Sequence, residues 1–265
     1  MKHIEAIGGN KNAKTRLRVI GRLVFSRFAP KIPYPVLVGP LRRARFILGA
    51  LAGEGGGASV YLNGVEPEQT QQFVHLVRPG QVLFDIGANV GYYSILGSRL
   101  VGERGAVVAV EPAIRNLYYL YRHVTLNQSK NVLIIGSACS DQIGLAKFSN
   151  AENFALGHLD LGGTGGEDDA RFGEALVPIV TIDAISDKLG RDPDIIKIDV
   201  EGAELSVLMG AEKTLNRKKA VILLSVHSDR LRSTCIDWLE HRGYAVEPVS
   251  GTVTTASEYV ARQAD

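Results

Sequence analysis

The sequence predicts an α/β fold built on a doubly wound parallel sheet. From Glu66 onward, short apolar runs alternate with segments that have the three- and four-residue spacing of amphipathic helices. The apolar runs are rich in Val, Ile and Leu and do not alternate strictly with polar residues, which is typical of parallel strands covered on both faces. Right-handed crossovers between such strands place helices on both sides of the sheet.

The predicted elements follow one another in a regular order. Core strands are predicted at residues 81–87, 106–112, 131–138, 194–202 and 220–227. Helices are predicted at residues 67–77, 91–100, 114–126 and 203–215 and around Trp238. A short extended piece at residues 179–185 and two strands at residues 244–249 and 252–261 complete the pattern. The segment from Asn150 to Val177, which contains GGTGGEDD, interrupts it and is expected to be a surface loop, a substrate lid or both.

The first 64 residues have a different character from the rest. Up to Arg45 there are eleven Lys and Arg residues and a single acid, Glu5. Apolar residues between Ala13 and Phe28 recur at helical spacing, and the basic residues mostly occupy the other faces. We therefore expect a basic helical appendage with a linker in residues 1–64 and the main domain in residues 65–265. The helix is expected to pack on that domain, and contact with a membrane surface or a polyanion is the alternative.

Composition limits the class of protein. The chain is 45% hydrophobic and 22% charged, as is usual for soluble globular proteins. No apolar run approaches the roughly 18 residues of a membrane span, and the N-terminus lacks the apolar core of a signal peptide. The two cysteines cannot form a disulfide framework. We therefore expect a cytoplasmic protein.

Polar residues concentrate where the predicted strands end. Ligands of doubly wound sheets bind beyond the carboxyl ends of the strands. The polar positions at these ends are Asp85–Gly91, Glu111–Pro112, Ala138–Asp141, Asp199–Glu204 and His227. The sequence therefore predicts a site at this edge of the sheet.

The first of these turns, FDIGANVG, combines two glycines with an acid. Gly87 and Gly91 permit positive φ and a close approach of a ligand to the backbone. A dinucleotide-binding turn has the spacing G-x-G-x-x-G, and the Asp85 carboxylate would repel its pyrophosphate but attract the ammonium group of an amino acid. Glu111, 26 residues beyond Asp85, is suited to accept hydrogen bonds from two ribose hydroxyls. An amino group and a nucleoside without a phosphate describe S-adenosylmethionine, and a nicotinamide cofactor is the alternative.

Several segments carry a resemblance to a known family. DIGANVGYYS, VEP and IIKIDVEGAE, together with the strand that ends in Val226-His227, resemble the FkbM family of methyltransferases. The resemblance extends roughly from Gln81 to His227. It implies the class I methyltransferase (Rossmann-like) fold, a doubly wound seven-stranded sheet with the last strand antiparallel. It also implies methyl transfer from S-adenosylmethionine to oxygen, on a hydroxyl of a sugar, glycan or natural product.

The resemblance also assigns the cofactor-binding residues. Those of the first loop are Asp85, Gly87, Asn89 and Gly91. Glu111 would hold the ribose, and the adjacent Pro112 is included as a cofactor-binding residue. The residues that would approach the adenine are Ser137, Ala138 and Asp141. Asn127 matches an asparagine that often ends the second helix of the family, and it is included as a cofactor-binding residue.

One position departs from the family. Ser225 stands where family members often carry Glu, two residues before the histidine. No role for that carboxylate, including metal binding, is carried over to this chain.

An acidic cluster follows the fourth core strand. Asp199 is expected to face the methionine end of the cofactor, whereas Glu204 lies in the first turn of a helix, where an acid also favours the helix dipole. Methyl transfer to a hydroxyl requires alignment of the nucleophile and acceptance of its proton. The candidate catalytic residues are Asp199, Glu201 and His227, and histidine is the usual base near neutral pH. These groups could also bind a divalent cation, but no metal is predicted.

The expected partner is a small-molecule or glycan hydroxyl acceptor. Nucleic acid is not expected, because the basic N-terminal residues are not interleaved with aromatic ones, although an RNA-modifying methyltransferase is an alternative. The sequence leaves the oligomeric state open.

Overall fold

The computed structural model of the protein describes residues 32–50, 58–149, 158–160, 174–217 and 220–264. Within them the strands are β1 (Pro33–Pro35), β2 (Arg45–Ile47), β3 (Val82–Ile86), β4 (Ala106–Val110), β5 (Val132–Ile135), β6 (Ala138–Cys139), β7 (Gly144–Ser149), β8 (His158–Asp160), β9 (Glu174–Val180), β10 (Ile195–Ile198), β11 (Val221–Ser225), β12 (Tyr244–Pro248) and β13 (Glu258–Gln263). The helices are α1 (Ala58–Tyr61), α2 (Pro67–Leu76), α3 (Tyr92–Val101), α4 (Ile114–Leu126), α5 (Ile182–Leu189), α6 (Glu204–Met209), α7 (Glu212–Arg217) and α8 (Asp229–Glu240).

A seven-stranded sheet forms the centre of the protein. Its strand order is β12-β13-β11-β10-β3-β4-β5. β10 pairs in parallel with β3 and β11, and β3 and β5 pair in parallel with β4, whereas β13 runs antiparallel to both of its neighbours. The predicted doubly wound sheet with the last strand antiparallel is therefore confirmed.

The core lies on both faces of this sheet. One face carries a cluster that includes Leu83, Phe73 of α2 and Ile95 of α3. The other face carries a cluster that includes Phe84 and Leu208 of α6. Neighbouring residues of β3 thus project to opposite faces and are buried on both, which explains why its sequence is a continuous apolar run.

A second, four-stranded sheet has the order β6-β9-β7-β8. It corrects two sequence predictions. The third core strand, predicted at residues 131–138, is divided, because β5 ends at Ile135 and β6 pairs with β9 of the small sheet. The extended piece predicted at residues 179–185 is wrong beyond Val180, because the Thr181 hydroxyl accepts a hydrogen bond from the Ala184 amide at 3.0 Å and begins α5.

The helix predicted at residues 203–215 is two helices, α6 and α7. Gly210 separates them. A Cβ atom at this position would collide with the backbone carbonyl of Ser140, so the glycine allows close contact with the small sheet. The predicted strand at residues 252–261 is also shorter, since β13 begins at Glu258.

The β1–β2 hairpin packs on α4. The Ile47 amide donates to His123 Nε2 at 3.0 Å, and Leu41 and Phe46 are buried in the core.

Two predicted segments lie outside the described residues, namely the basic helix between Ala13 and Phe28 and most of the segment from 150 to 177. Membrane contact by the basic helix and a lid role for the 150–177 segment stay predictions. So do the domain division at residue 64 and the cytoplasmic location. Among the described residues, no helix is long and apolar enough to cross a membrane.

Candidate active site

The turn after β3 is shaped by three positive φ angles. They are 82° at Gly87, 50° at Asn89 and 93° at Gly91. A Cβ atom on Gly87 would collide with the backbone carbonyl of Asp199, and one on Gly91 would lie 2.6 Å from Leu120 Cδ1. Gly87 is therefore required for the turn to pack against the end of β10, and at Gly91 the positive φ favours glycine where the turn meets α4.

Asp85 lies beside this turn with only 1% of its surface exposed. Its Oδ2 accepts a hydrogen bond from the Ser94 hydroxyl at 2.6 Å, and its buried Oδ1 has no partner among the described residues. Burial raises the pKa of this carboxyl, and the nearby Lys197 ammonium acts in the opposite direction. An unpartnered carboxylate oxygen at this position fits the amino group of an amino-acid moiety.

Glu111 follows β4 and is held by three donors. The amides of Asn89 and Ala113 donate to it at 2.8 and 2.9 Å, and Asn116 Nδ2 donates at 3.2 Å. Burial raises the pKa of Glu111 to about 6, although these hydrogen bonds act to lower it. The carboxylate is held in place and still has a free lone pair that can accept a hydrogen bond from a ribose hydroxyl. Its geometry therefore fits the role expected from the sequence.

Three further predicted residues follow β5. Ser137 is buried and its hydroxyl has no partner among the described residues. Ala138 is buried in β6, where it pairs with Ile179. The exposed Asp141 accepts a hydrogen bond from the Ser140 hydroxyl at 3.0 Å. A buried, unpartnered hydroxyl beyond the strand end fits a polar group of the cofactor.

Pro112 and Asn127 occupy different surroundings. Pro112 is half-buried beside Glu111 at the carboxyl edge of the sheet. Asn127 ends α4, and its side chain bonds both the amide and the carbonyl of Arg45 at 2.8 Å. The structure therefore does not bring Asn127 to the other predicted cofactor residues, and its contacts join α4 to β2.

A buried ion pair lies under the acidic cluster. Lys197, of which 2% is exposed, donates to Asp199 Oδ2 at 2.9 Å, and its ammonium lies 4.6 Å from the centroid of the Tyr93 ring. Burial acts to lower the pKa of Lys197, but the carboxylates of Asp199, Asp85 and Glu66 raise it above its usual value. For Asp199, burial acts to raise the pKa of the carboxyl. The charge and hydrogen bond of Lys197 outweigh burial, and the pKa of Asp199 is lowered. Both groups are therefore charged at neutral pH.

His227 faces three carboxylates from the end of β11. Its Nδ1 lies 2.8 Å from Glu204 Oε1, and its Nε2 lies 3.3 Å from Glu201 Oε2 and 3.5 Å from Asp199 Oδ1. Glu204 is fully buried and also accepts the Gly202 amide at 3.0 Å. The buried carboxylate fixes the imidazole ring and assigns its proton to Nδ1 in the neutral form.

These contacts set the charge of the site. Burial acts to lower the pKa of His227, but the hydrogen bond to Glu204 and the charges of Glu201 and Asp199 raise it to about 8. Burial and the neighbouring carboxylates raise the pKa of Glu201, with His227 acting against them. One ligand atom each of Asp199, Glu201 and His227 lie within 4.8 Å of one another, so these residues would be the ligands of a divalent cation if one binds.

The structure thus unites the three predicted catalytic residues and adds others that sequence reasoning missed. Lys197 and Asn116 were not singled out, and the orienting role of Glu204 was not distinguished from helix capping. For Lys197 a signal existed, because a lysine within the apolar run IIKI must be buried with a counter-charge. For Asn116 no signal existed, since its contact with Glu111 depends on the turn between β4 and α4.

Comparison with solved structures finds several methyltransferases. Precorrin-6y C5,15-methyltransferase from Geobacter metallireducens GS-15 is 17% identical, with 76% of this chain and 88% of that chain covered and a TM-score of 0.46. Methyltransferase FkbM from Methylobacillus flagellatus KT is 16% identical, with a TM-score of 0.47. The match covers 94% of this chain and 60% of that chain. A putative methyltransferase from Streptococcus mutans in complex with SAH is 10% identical, with 73% and 94% covered and a TM-score of 0.46. No curated protein sequence matches the chain significantly.

The strand order and the carboxyl-edge site define a class I methyltransferase, and the family comparison agrees. The family model for the methyltransferase FkbM domain matches residues 85–246, more than half of the chain. The chain therefore belongs to the FkbM methyltransferase family, as the sequence predicted. It is an S-adenosylmethionine-dependent methyltransferase.

Proposed function

We propose that the enzyme methylates a hydroxyl oxygen of a sugar, glycan or other natural product. The observation that supports this most directly is the setting of His227, whose Nδ1 is held by buried Glu204 and whose Nε2 faces Asp199 and Glu201. An alcohol is a poor nucleophile until its proton is accepted, and a ring nitrogen fixed in this way is a suitable base.

S-adenosylmethionine, when bound, supplies the methyl group from its sulfonium. The residues suited to hold it are Asp85 for its amino group, Glu111 for its ribose and the main chain around Gly87. The acceptor hydroxyl would lie against His227 and donate its proton to Nε2. Asp199 and Glu201 then stabilise the imidazolium that forms, because both carboxylates lie within 3.5 Å of Nε2.

The position of the transferred methyl group tests this proposal. The full chain is incubated with S-adenosylmethionine and a panel of glycosides and phenolic natural products, and each product is examined by mass spectrometry and NMR. We expect methyl ethers, and no product from the matched deoxy compound that lacks the reacting hydroxyl. Products that carry the new methyl group only on nitrogen or carbon would contradict oxygen-directed transfer.

A further inference from the structure

A group of polar side chains lies at the end of β11, two residues before the proposed base, on the face of the sheet that α2 covers. Glu258, the first residue of β13, lies opposite Ser225 of β11 in the antiparallel register. Residues directly opposite in such a pair project to the same face. The Ser225 hydroxyl accepts a hydrogen bond from Gln69 Nε2 of α2 at 2.9 Å. Together, Gln69, Ser225 and Glu258 are termed the acceptor subsite.

Two members of the acceptor subsite have unmet polar groups. Gln69 is 1% exposed, and its Oε1 has no partner among the described residues. If the side-chain amide of Gln69 were flipped, its nitrogen would lack a partner in place of its oxygen. One amide atom therefore has no partner in either orientation. Glu258 is half-buried, and its carboxylate makes no hydrogen bond or ion pair with any residue that the structure describes. A fully buried polar atom in a native protein is normally paired, so the unpartnered amide atom of Gln69 points to a ligand here.

The charges around the acceptor subsite favour a cationic ligand. Burial raises the pKa of Glu258 to about 7, and the carboxylates of Glu66 and Asp199 act in the same direction while Lys197 opposes them. Lys197 is already paired with Asp199 at 2.9 Å. Glu66 accepts a hydrogen bond from the Tyr93 hydroxyl at 2.8 Å and forms no ion pair with the described residues. Negative charge therefore exceeds positive charge at this point, and a cation between these carboxylates would be attracted.

We propose that the acceptor subsite binds a protonated amine of the methyl acceptor, so that the acceptor class is an amino sugar or another amine-bearing alcohol. An ammonium group donates several hydrogen bonds, which matches the Glu258 carboxylate and the Gln69 carbonyl. Asp199 and His227 lie beyond the ends of the neighbouring strands β10 and β11, where a hydroxyl of the same molecule would face the base. The inference rests on the proposed function and extends it to the substrate class.

The test uses methyl glucoside and the four derivatives that carry an amino group at C2, C3, C4 or C6. Binding of each to the complex of the full chain with S-adenosylhomocysteine is measured by calorimetry, and turnover is measured with S-adenosylmethionine. The variant Glu258→Gln removes the charge at nearly constant volume. The matched control is Glu247→Gln, at an exposed residue of β12 paired with Arg262.

We expect at least one amino derivative to bind more tightly than methyl glucoside, and Glu258→Gln to reduce that preference by about tenfold, the loss expected for one hydrogen bond to a charged group. Glu247→Gln should leave it unchanged. Equal affinities for amino and neutral glycosides, an unchanged preference in Glu258→Gln, or no binding of any of the five compounds would overturn the acceptor subsite. Failure of S-adenosylhomocysteine to bind, or methylation of the amine itself, would instead overturn the proposed function.

Discussion

At the scale of single residues, buried partners decide what the exposed groups can do. Glu204 is fully buried, yet its contact with Nδ1 determines which nitrogen of His227 is available to the acceptor. Lys197 in the same way keeps Asp199 ionised beside the imidazole. The chemistry of this site therefore depends on groups that do not themselves contact the acceptor in the proposed mechanism.

The pH dependence of turnover follows from His227. Its pKa in the free protein is raised to about 8, and only the neutral ring can accept a proton, so kcat/KM of the wild type should rise between pH 6.5 and 9 and level off above the pKa. His227→Gln should lower kcat/KM by about 10²-fold or more and remove this rise, while binding of S-adenosylhomocysteine is retained. The control His75→Gln alters an exposed residue and should retain the profile. A rise with pH that persists in His227→Gln would exclude His227 as the base.

The same residue makes stability depend on pH. Because its folded pKa lies above the ordinary 6.5, the charged form of His227 contributes stability that is fully present below about pH 6.5 and is lost as pH rises through about 8. The difference in unfolding free energy between wild type and His227→Gln, from urea titrations, should therefore shrink between pH 6 and 9. A constant difference over this range would contradict the raised pKa.

At the scale of elements, the turn between β3 and α3 contacts two other parts of the site. Its amide at Asn89 donates to Glu111, and its glycine at position 87 contacts the carbonyl that follows β10. A change in this turn should thus affect the cofactor loop and the acidic cluster together, because the two share a backbone contact.

Alanine substitutions can distinguish the two reasons for glycine at position 87, which are its positive φ and the lack of space for a Cβ atom. Both Gly87 and Gly80 have positive φ, 82° and 86°, but a Cβ atom at Gly80 meets nothing within 4 Å. Gly80→Ala should cost about 1 kcal/mol from backbone strain alone. Gly87→Ala adds the collision with the Asp199 carbonyl and should cost roughly 2–4 kcal/mol and weaken S-adenosylhomocysteine binding. Equal losses in thermal and urea unfolding would show that this collision is easily relieved.

At the scale of the whole molecule, the sheet gathers residues that are distant in the chain. The parallel strands β3, β4, β10 and β11 all end at one edge, so Asp85, Glu111, Asp199 and His227 meet there although they are spread over more than half of the sequence. Ligand binding at this edge should stabilise the entire domain, since the residues proposed to hold the ligand lie at the ends of all four strands.

Thermal unfolding with ligands tests this coupling and the choice of cofactor. At 100 times its dissociation constant, S-adenosylhomocysteine should contribute about 2.7 kcal/mol. For a protein of this size, the midpoint temperature should therefore rise by roughly 5–10 °C. NAD or NADP at the same concentration should produce no shift, because Asp85 disfavours a pyrophosphate. A larger shift with NAD than with S-adenosylhomocysteine would contradict the identity of the cofactor.

Much of this organisation was predictable, for reasons that differ between elements. The helix at residues 114–126 was predicted with its observed bounds, because its apolar spacing is continuous. The small sheet of β6 to β9 was missed, since β6 has two residues and the predicted third strand continued into it. Asn127 was placed with the cofactor on resemblance alone, and its contact with Arg45, 82 residues away, could not be read from local sequence.

The sequence by itself determined the class of fold and the cofactor. Apolar runs, glycines and acids at strand ends can each be recognised within a short stretch of the chain. Only the tertiary structure decided how these ends meet. It placed Glu204 behind His227 and Glu258 opposite Ser225, and each of these contacts joins separate elements of the fold. The physical reason is that a pKa or a hydrogen bond depends on distance in space, which the order of residues along the chain does not specify.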